Sequence, residues 1–199
     1  MPSIHEMIRE RRAIRRYEDR PVPTPLLHRL LESATWAPSA HNRQPWRFAV
    51  ITAFAAKERL AQAMGARLRQ DRLADGDPPE AIEQDVTRSY NRITSAPVLI
   101  IVCLSMADMD QYPDERRRHN EWVMATQSTA MAAQNLWLAA HAEGLGACWL
   151  CAPLFVPDLV RATMGLPDDW EPQGLLTLGY PAETRTKSRA PWQEKVLFL

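Results

Sequence analysis

Apolar positions near the start of the chain recur at helical spacing. Ser3 and Glu6 form a capping-box pattern, and with the apolar residues that follow they predict a helix to about Arg12. Thr24 as the N-cap and Pro25 as the first helical residue predict a second helix. The apolar face of this second helix consists of Leu26, Leu27, Leu30, Leu31 and Ala34.

Strand and helix patterns alternate along the next part of the chain. Residues 46–52 predict a strand and residues 57–69 predict a helix. The polar, turn-rich stretch 73–79 predicts a mobile loop, and the sequence leaves open whether this loop gates a pocket. Residues 82–93 predict another helix, and the apolar run 98–104 predicts a central strand covered on both faces.

Residues 122–142 contain no charged side chain, which raises the question of a membrane-spanning helix. The stretch carries too many polar groups for an isolated span in lipid, among them Gln127, Gln134 and Asn135. A helix this apolar on all sides must be buried by protein. We therefore expect a long buried helix, in the core or at a dimer interface, and no membrane partner.

The last part of the chain contains two further strand patterns. Residues 147–152 predict a buried strand, 157–165 a short helix and 175–180 a final strand. Residues 196–199 are apolar, so we expect them to contact another part of the fold or a second subunit. No repeat or linker is visible, and the pattern predicts one α+β or α/β domain over 1–199 with a mixed β-sheet flanked by helices.

Charge and cysteine content narrow the functional classes. The chain has 24 basic and 24 acidic side chains, a balance that argues against general binding to nucleic acids or anionic membranes. The first residues lack the features of a secretory signal, so we expect a cytoplasmic protein. The chain has only three cysteines, an odd number, so a disulfide framework is not expected.

Cys148 and Cys151 match a C-x-x-C redox pattern. On the predicted strand, residues three apart face opposite sides, which disfavours a redox dithiol. No second C-x-x-C and no paired histidine spacing accompanies the motif, so no metal site is predicted.

Two basic clusters are candidates for anion binding. Arg11, Arg12, Arg15 and Arg16 lie close together near the start of the chain, and Lys187-Ser188-Arg189 follows the last predicted strand. Arginine forks fit phosphate and carboxylate geometry. A solvated helix face also explains the first cluster, and the two form one phosphate site only if the fold brings them together.

The polar stretch 37–48 combines hydroxyl, imidazole, amide and guanidinium groups with two prolines. Rigid polar loops are common binding sites, although a loop that satisfies buried backbone groups is equally compatible with this composition. Gly144 and Gly146 are only a fragment of a dinucleotide fingerprint, because Trp149 takes the third glycine position. Without G-x-S-x-G or H-E-x-x-H motifs, hydrolase and metalloprotease functions have little support.

At these residues the chain resembles the FMN-dependent nitroreductase family. The motifs are 11–15, the A-P-S-x-x-N-x-Q-P-W block within 37–48, 144–146, 179–181 and 187–189, in the family's order. Within the family, residues 156–161 and 165–167 are similar to the flavin-binding domain fused to the bacterial glutamyl ligase of deazaflavin-coenzyme synthesis. The resemblance implies a nitroreductase-like α+β fold.

The resemblance also implies a homodimer with two FMN sites at its interface. The cofactor-binding residues it implies in one chain are Arg11, Arg12, Ala13, Ile14, Arg15, Leu150, Cys151, Ala152, Lys187 and Arg189, and the partner supplies Pro38, Ser39, Ala40 and Asn42. Residues 11–13, 187 and 189 would hold the phosphate and ribityl chain, Arg15 the N1/O2 edge, and 150–152 the N5 region. Ala13 replaces the serine of many members, which removes one phosphate contact.

The reaction that the resemblance implies is a ping-pong cycle. NADH or NADPH would pass a hydride to flavin N5 and leave, and a nitroaromatic, quinone or activated alkene would then accept it. His41 could donate a proton or simply be a hydrogen-bonded loop residue. The alternatives are a narrow reductase for a dehydro deazaflavin-type precursor, a flavin-modifying enzyme of the same fold, and a non-enzymatic polyanion binder.

Overall fold

The computed structural model describes residues 3–199. Its helices are α1 (Ile4–Glu10), α2 (Thr24–Thr35), α3 (Phe54–Ala74), α4 (Pro79–Thr94), α5 (Glu115–Ala142), α6 (Ala152–Phe155) and α7 (Pro157–Met164). Its strands are β1 (Trp46–Ile51), β2 (Val98–Leu104), β3 (Gly146–Leu150) and β4 (Glu171–Gly179), and short 3-10 turns cover Ala40–Asn42 and Trp192–Lys195.

The four strands form one sheet in the order β1-β2-β4-β3. The α+β class is confirmed, but the sheet is not mixed among these strands, because all three of their pairings are antiparallel. Two helices, α3 and α4, connect β1 to β2. The first helix runs back along the sheet and the second returns, so β2 starts at the end where β1 finished and runs antiparallel to it. Within residues 3–199 a parallel pairing occurs only as a bridge between Ala13 and Ala147.

The core lies on both faces of β2, as the continuous apolar run predicts. Val98, Ile100 and Val102 pack in one cluster with residues of α2 and α5. The alternate residues Leu99 and Ile101 pack in a second cluster with residues of α3 and α7. Side chains of a strand alternate between its faces, so a doubly covered strand needs apolar residues at every position.

Helix α5 is buried along one face. It begins seven residues before the uncharged stretch, at Glu115, and the Asp114 side chain caps it by accepting from the backbone N–H of Arg117. The opposite face, with Gln127, Met131 and Gln134, is exposed in this chain. In the single chain α5 is therefore buried on one face only, and the other face is free to contact another surface, such as the dimer interface that the sequence leaves open. None of the helices described in residues 3–199 is long and apolar enough to cross a membrane.

Several predicted boundaries are corrected. Helix α1 ends at Glu10, and the carbonyl of Pro23 rather than the Thr24 side chain accepts the first N–H groups of α2. The mobile loop predicted over 73–79 is wrong, because α3 continues to Ala74 and only 75–78 connect it to α4. Arg72 spans this connection with ion pairs to Asp77 (2.6 Å) and Asp85.

Candidate functional site

The arginine segment 11–16 leaves α1 and runs along β3. Arg11 is the C-cap of α1 in a non-helical conformation, and the Ile14 N–H donates to the Ala147 carbonyl at 3.0 Å. The Tyr17 hydroxyl lies 2.6 Å from the Ile14 carbonyl and 2.7 Å from the Thr177 hydroxyl, and burial raises its pKa above the ordinary value. The sheet therefore fixes the backbone from which the arginines project.

Gly146 allows the arginine segment to approach β3. A Cβ added at Gly146 would lie 2.7 Å from the Ile14 Cβ, closer than real Cβ atoms come. Gly144 has a φ of 75°, in the left-handed region that favours glycine. Gly144 thus forms the turn and Gly146 allows the close contact with Ile14. These two structural roles explain why only part of the dinucleotide fingerprint is present.

Substituting Gly146→Ala should displace the arginine segment. Overpacking against Ile14 should lower the free energy of unfolding by about 1–3 kcal/mol, and the Ile14 amide should exchange its hydrogen faster. Gly65→Ala is the matched control, since its Cβ would lie at 3.2 Å from a Val86 methyl, a contact that a shift of a few tenths of an ångström relieves. Equal effects of both substitutions, measured by denaturation and hydrogen exchange, would contradict this account of Gly146.

The guanidinium groups of Arg11, Arg12 and Arg15 each have a nitrogen without an acceptor. Arg12 Nη1, by contrast, donates to the Arg11 carbonyl at 2.9 Å and to the Arg9 carbonyl. Arg11 Nη1, Arg12 Nε and Arg15 Nε are buried and have no hydrogen-bond partner. Arg11 lies over the Trp137 ring at 4.0 Å from its centroid. Burial lowers the pKa of Arg11, and the nearby charges of Arg189 and Arg12 lower it further. Buried unpaired donors are costly, so the site is complementary to an anion with several oxygens.

The second basic cluster meets the first through Arg189. The positive charge of Arg189 contributes to the lowered pKa of Arg11, so the two side chains lie near each other although they are far apart in sequence. Lys187 is exposed, and it lines neither of the two clefts that the arginine segment borders. The structure therefore brings one member of the predicted second cluster to the site.

Glu183 connects the arginine segment 11–16 to the segment that follows β4, and the sequence analysis did not select it as a site residue. Its Oε1 accepts from the Arg15 N–H at 2.7 Å and its Oε2 from Arg185 Nε at 2.9 Å. Burial acts to raise the pKa of Glu183, but hydrogen bonds from Arg185 and the Arg15 backbone outweigh it, and the pKa falls below its ordinary value. A sequence signal existed, since Glu183 is the sole acid between Glu171 and Glu194.

Glu183→Gln should make the free energy of unfolding less dependent on pH in the acidic range. Because the folded-state pKa is depressed, the ionised Glu183 stabilises the fold above its ordinary pKa of 4.5, and this contribution disappears as the pH falls through the lower folded value. The stability difference between wild type and variant should be largest near neutral pH and small below pH about 3. A difference that does not change between pH 7 and pH 3 in urea denaturation would contradict this role.

Two clefts border the arginine segment, one lined by residues of 11–14 and the other by residues 15–16. A cleft of about 300 Å³ is lined by Arg11, Arg12, Ile14, Trp137 and His141, among others. The pKa of His141 is lowered, mainly by burial and with contributions from the two arginines. The smaller cleft therefore combines cationic and neutral donors with the carboxylates of Glu10 and Glu183.

The second cleft, of about 880 Å³, lies between Arg15, Arg16 and helix α4. Its α4 residues include Arg88, Asn91 and Arg92, none of which sequence reasoning selected. Their spacing could have identified them, because residues three and four positions apart share one face of a helix, here the polar face of α4. The sequence analysis used only the apolar positions of this helix.

The loop predicted as the partner's contribution lies elsewhere. Pro38, Ser39, Ala40, His41 and Asn42 line neither cleft of the arginine segment. The Ala40 N–H donates to the Ser128 hydroxyl of α5 at 3.4 Å, so the loop is attached to the central helix.

The backbone of this loop is strained. His41, Asn42 and Gln44 have φ values of 49°, 54° and 50°, and the Ser39 hydroxyl accepts from the Gln44 N–H at 3.0 Å. Non-glycine residues in this conformation are uncommon and cluster at functional sites. Within one chain, however, the loop and the arginines do not form a single site.

Residues 150–152 lie where β3 passes into α6. Cys151 follows the strand and is exposed, which corrects its predicted place on it, whereas Cys148 is buried within β3. Burial raises the pKa of Cys148 despite the nearby Arg15 and Arg92. Ala152 begins α6, and the first N–H groups of a helix have no acceptor inside it. Within residues 3–199 no cluster of histidine, cysteine or acidic residues could hold a metal ion.

Comparisons with known proteins agree with the fold. The family model "Nitroreductase family" matches residues 8–180. The chain is 30% identical to the "NADH dehydrogenase" of Thermus thermophilus, covering 95% of this chain and 92% of that protein. It is 32% identical to a Methanothermobacter thermautotrophicus protein provisionally named NADH dehydrogenase/NAD(P)H nitroreductase, covering 91% and 78%.

A solved structure matches over the whole chain. A Desulfovibrio desulfuricans protein, crystallised in complex with FMN, has a TM-score of 0.76 at 28% identity and covers 100% of this chain and 98% of its own. The family match spans most of the described residues, from α1 to the end of β4. The chain belongs to the nitroreductase family.

Proposed function

We propose that the chain, as a single domain over residues 1–199, is an FMN-dependent oxidoreductase that uses NADH or NADPH to reduce a small acceptor. The acceptors we propose are nitroaromatics, quinones and activated alkenes. The observation that carries the proposal is the set of three buried guanidinium nitrogens without acceptors. The relatives named for NADH and NAD(P)H activities and the FMN complex of a similar protein support it.

The arginines fit the phosphate of FMN. Arg11 and Arg12 offer unpaired buried donors beside the Arg189 charge, and a dianionic phosphate would satisfy these donors and reduce their mutual repulsion. Ala13 and Ile14 would contribute backbone, since their segment is bound to β3. Lys187 would approach from the exposed segment that carries Arg189.

Arg15 and the start of α6 fit the flavin ring. FMN supplies hydride transfer through its N5 atom when bound. Arg15, with an unpaired Nε, would place a positive charge at the pyrimidine edge and so favour the reduced, more negative ring. The N–H groups at Cys151 and Ala152, at the helix start, would donate toward N5, and Leu150 would contact the ring.

We further propose that the site is completed by a second copy of the chain, whose Pro38, Ser39, Ala40 and Asn42 cover the ring. In one chain these residues lie away from the arginine clefts, on a strained loop beside the 81% exposed Trp36. A large exposed aromatic next to a rigid polar loop is typical of an interface. His41 of this loop would be near the acceptor and could donate a proton.

The proposal is tested by turnover and by two variants. Purified protein supplied with FMN should oxidise NADH or NADPH in the presence of a quinone or nitroarene. Arg15→Ala and Lys187→Ala should weaken FMN binding, whereas Arg67→Ala, on the outer surface of α3, should leave it unchanged. Turnover of a dehydro deazaflavin precursor alone would favour the narrow biosynthetic alternative, and full FMN affinity in both variants would refute the assignments.

A further inference from the structure

The larger cleft beside the arginine segment has more cations than the proposed flavin phosphate needs. Five arginines line it, from the segment 15–16, from α4 and from Arg185, together with the acids Glu80 and Glu83. Its volume of about 880 Å³ lies within the range of small-molecule sites. Such a surface is complementary to a polyanionic ligand rather than to an apolar one.

The cations of this cleft are only partly neutralised by protein. Arg88 pairs with Asp85, Arg185 pairs with Glu183 at 2.8 Å, and Glu83 is itself held by Arg69. Among residues 3–199, no carboxylate pairs with Arg15, Arg16 or Arg92. Closely spaced guanidinium groups repel one another, and their forks fit the oxygens of a phosphate or carboxylate.

The position of the cleft identifies the ligand class. Arg15 borders the cleft and, by the proposed function, also contacts the flavin ring. The FMN phosphate is assigned to the smaller cleft, which Arg11 and Arg12 line. A second phosphorylated molecule that reaches the flavin ring would therefore extend its remaining phosphates along α4.

We propose that this cleft binds the adenosine 2′-phosphate of NADPH, with Arg16 and Arg92 as the specificity-determining residues. The inference rests on the proposed function, because it needs the nicotinamide to lie against the flavin. NADH and NADPH differ only by the 2′-phosphate, which carries nearly two negative charges at neutral pH. Two unpaired guanidinium groups thus select NADPH over NADH.

The test compares the two donors in FMN-loaded protein. Wild type should show a kcat/KM for NADPH at least about tenfold above that for NADH, the effect of one charge-assisted hydrogen bond. Arg16→Ala and Arg92→Ala should remove most of this preference and leave kcat/KM for NADH within about twofold. Both should retain FMN affinity, and Arg67→Ala, paired with Asp71 on α3, is the matched control.

A binding measurement separates this inference from the proposed function. In calorimetry, 2′,5′-ADP should bind wild type more tightly than 5′-AMP, and the difference should disappear in Arg16→Ala and Arg92→Ala. Equal use of NADH and NADPH by wild type, equal losses with both donors, or weakened FMN binding in the variants would overturn the inference. Should the protein fail to bind FMN, the proposed function fails, and the 2′,5′-ADP titration still decides whether the cleft recognises the phosphate.

Discussion

Replacing Arg11 by alanine should weaken FMN binding by roughly 10- to 100-fold, the loss of one or more charge-assisted hydrogen bonds to phosphate. Arg11 Nη1 is buried without an acceptor, and burial together with Arg189 and Arg12 lowers its pKa. Removing Arg11 also relieves this repulsion in the protein without ligand. The thermal stability of flavin-free protein should therefore stay the same or rise while FMN affinity falls.

Riboflavin provides the matched comparison, because it lacks the phosphate. Arg11→Ala should weaken FMN binding much more than riboflavin binding, as fluorescence titration of both flavins can measure. Arg11→Lys should give an intermediate loss, since lysine retains the charge but not the fork that makes two parallel bonds. Equal losses for both flavins would mean that Arg11 does not contact the phosphate.

Placing acids in the apolar C-terminal segment should disrupt a dimer and with it the flavin site. Leu197 and Phe198 are 79% and 83% exposed, and Val196 is extended, so this segment has no cover within its own chain. Burying the two large side chains at a subunit interface is worth about 3–6 kcal/mol. Leu197→Asp combined with Phe198→Asp should therefore raise the dimer dissociation constant at least roughly 100-fold.

Light scattering coupled to gel filtration measures the oligomeric state, and the flavin content of each fraction reports the site. The double variant should be monomeric at micromolar concentration and should have lost most of its FMN. Leu73→Asp is the control, because Leu73 is 52% exposed at the end of α3 and belongs to no proposed interface. A dimer with full flavin content in the double variant would rule out this role of the segment.

The central strand and the buried face of the long helix could be predicted from the sequence because their signals are local. Every residue of 98–104 is apolar, and the strand has those bounds. The limits of α3 could not be predicted in the same way. Its last turn is polar and is stabilised by Arg72 reaching Asp77 and Asp85, an arrangement set by the packing of two helices.

The candidate site was predictable in its residue types but not in its connections. The arginine cluster and Arg189 stand out as basic runs, and the structure brings Arg189 to Arg11. Glu183 could not be assigned, because its role is to accept from a backbone N–H 168 positions away. The spacing of Arg88, Asn91 and Arg92 places them on one face of α4, but only the fold brings Arg92 into the same cleft as Arg15.

The net charge of the chain is zero, but its positive charges are unevenly distributed over the folded structure. Several arginines of α3 and α4 are paired with acids, among them Arg67, Arg69 and Arg88. Arg15, Arg16 and Arg92 have no carboxylate partner among the described residues and line the larger cleft, and Arg11 and Arg12 line the smaller one. A neutral protein can therefore hold small phosphorylated ligands at one place without attracting long polyanions.

The absorbance spectrum of the purified protein tests the proposed flavin site most directly. We expect a yellow protein with flavin bands and, after reconstitution and removal of free ligand, one FMN per chain released on denaturation. A colourless protein that retains no FMN after incubation with excess cofactor would contradict it.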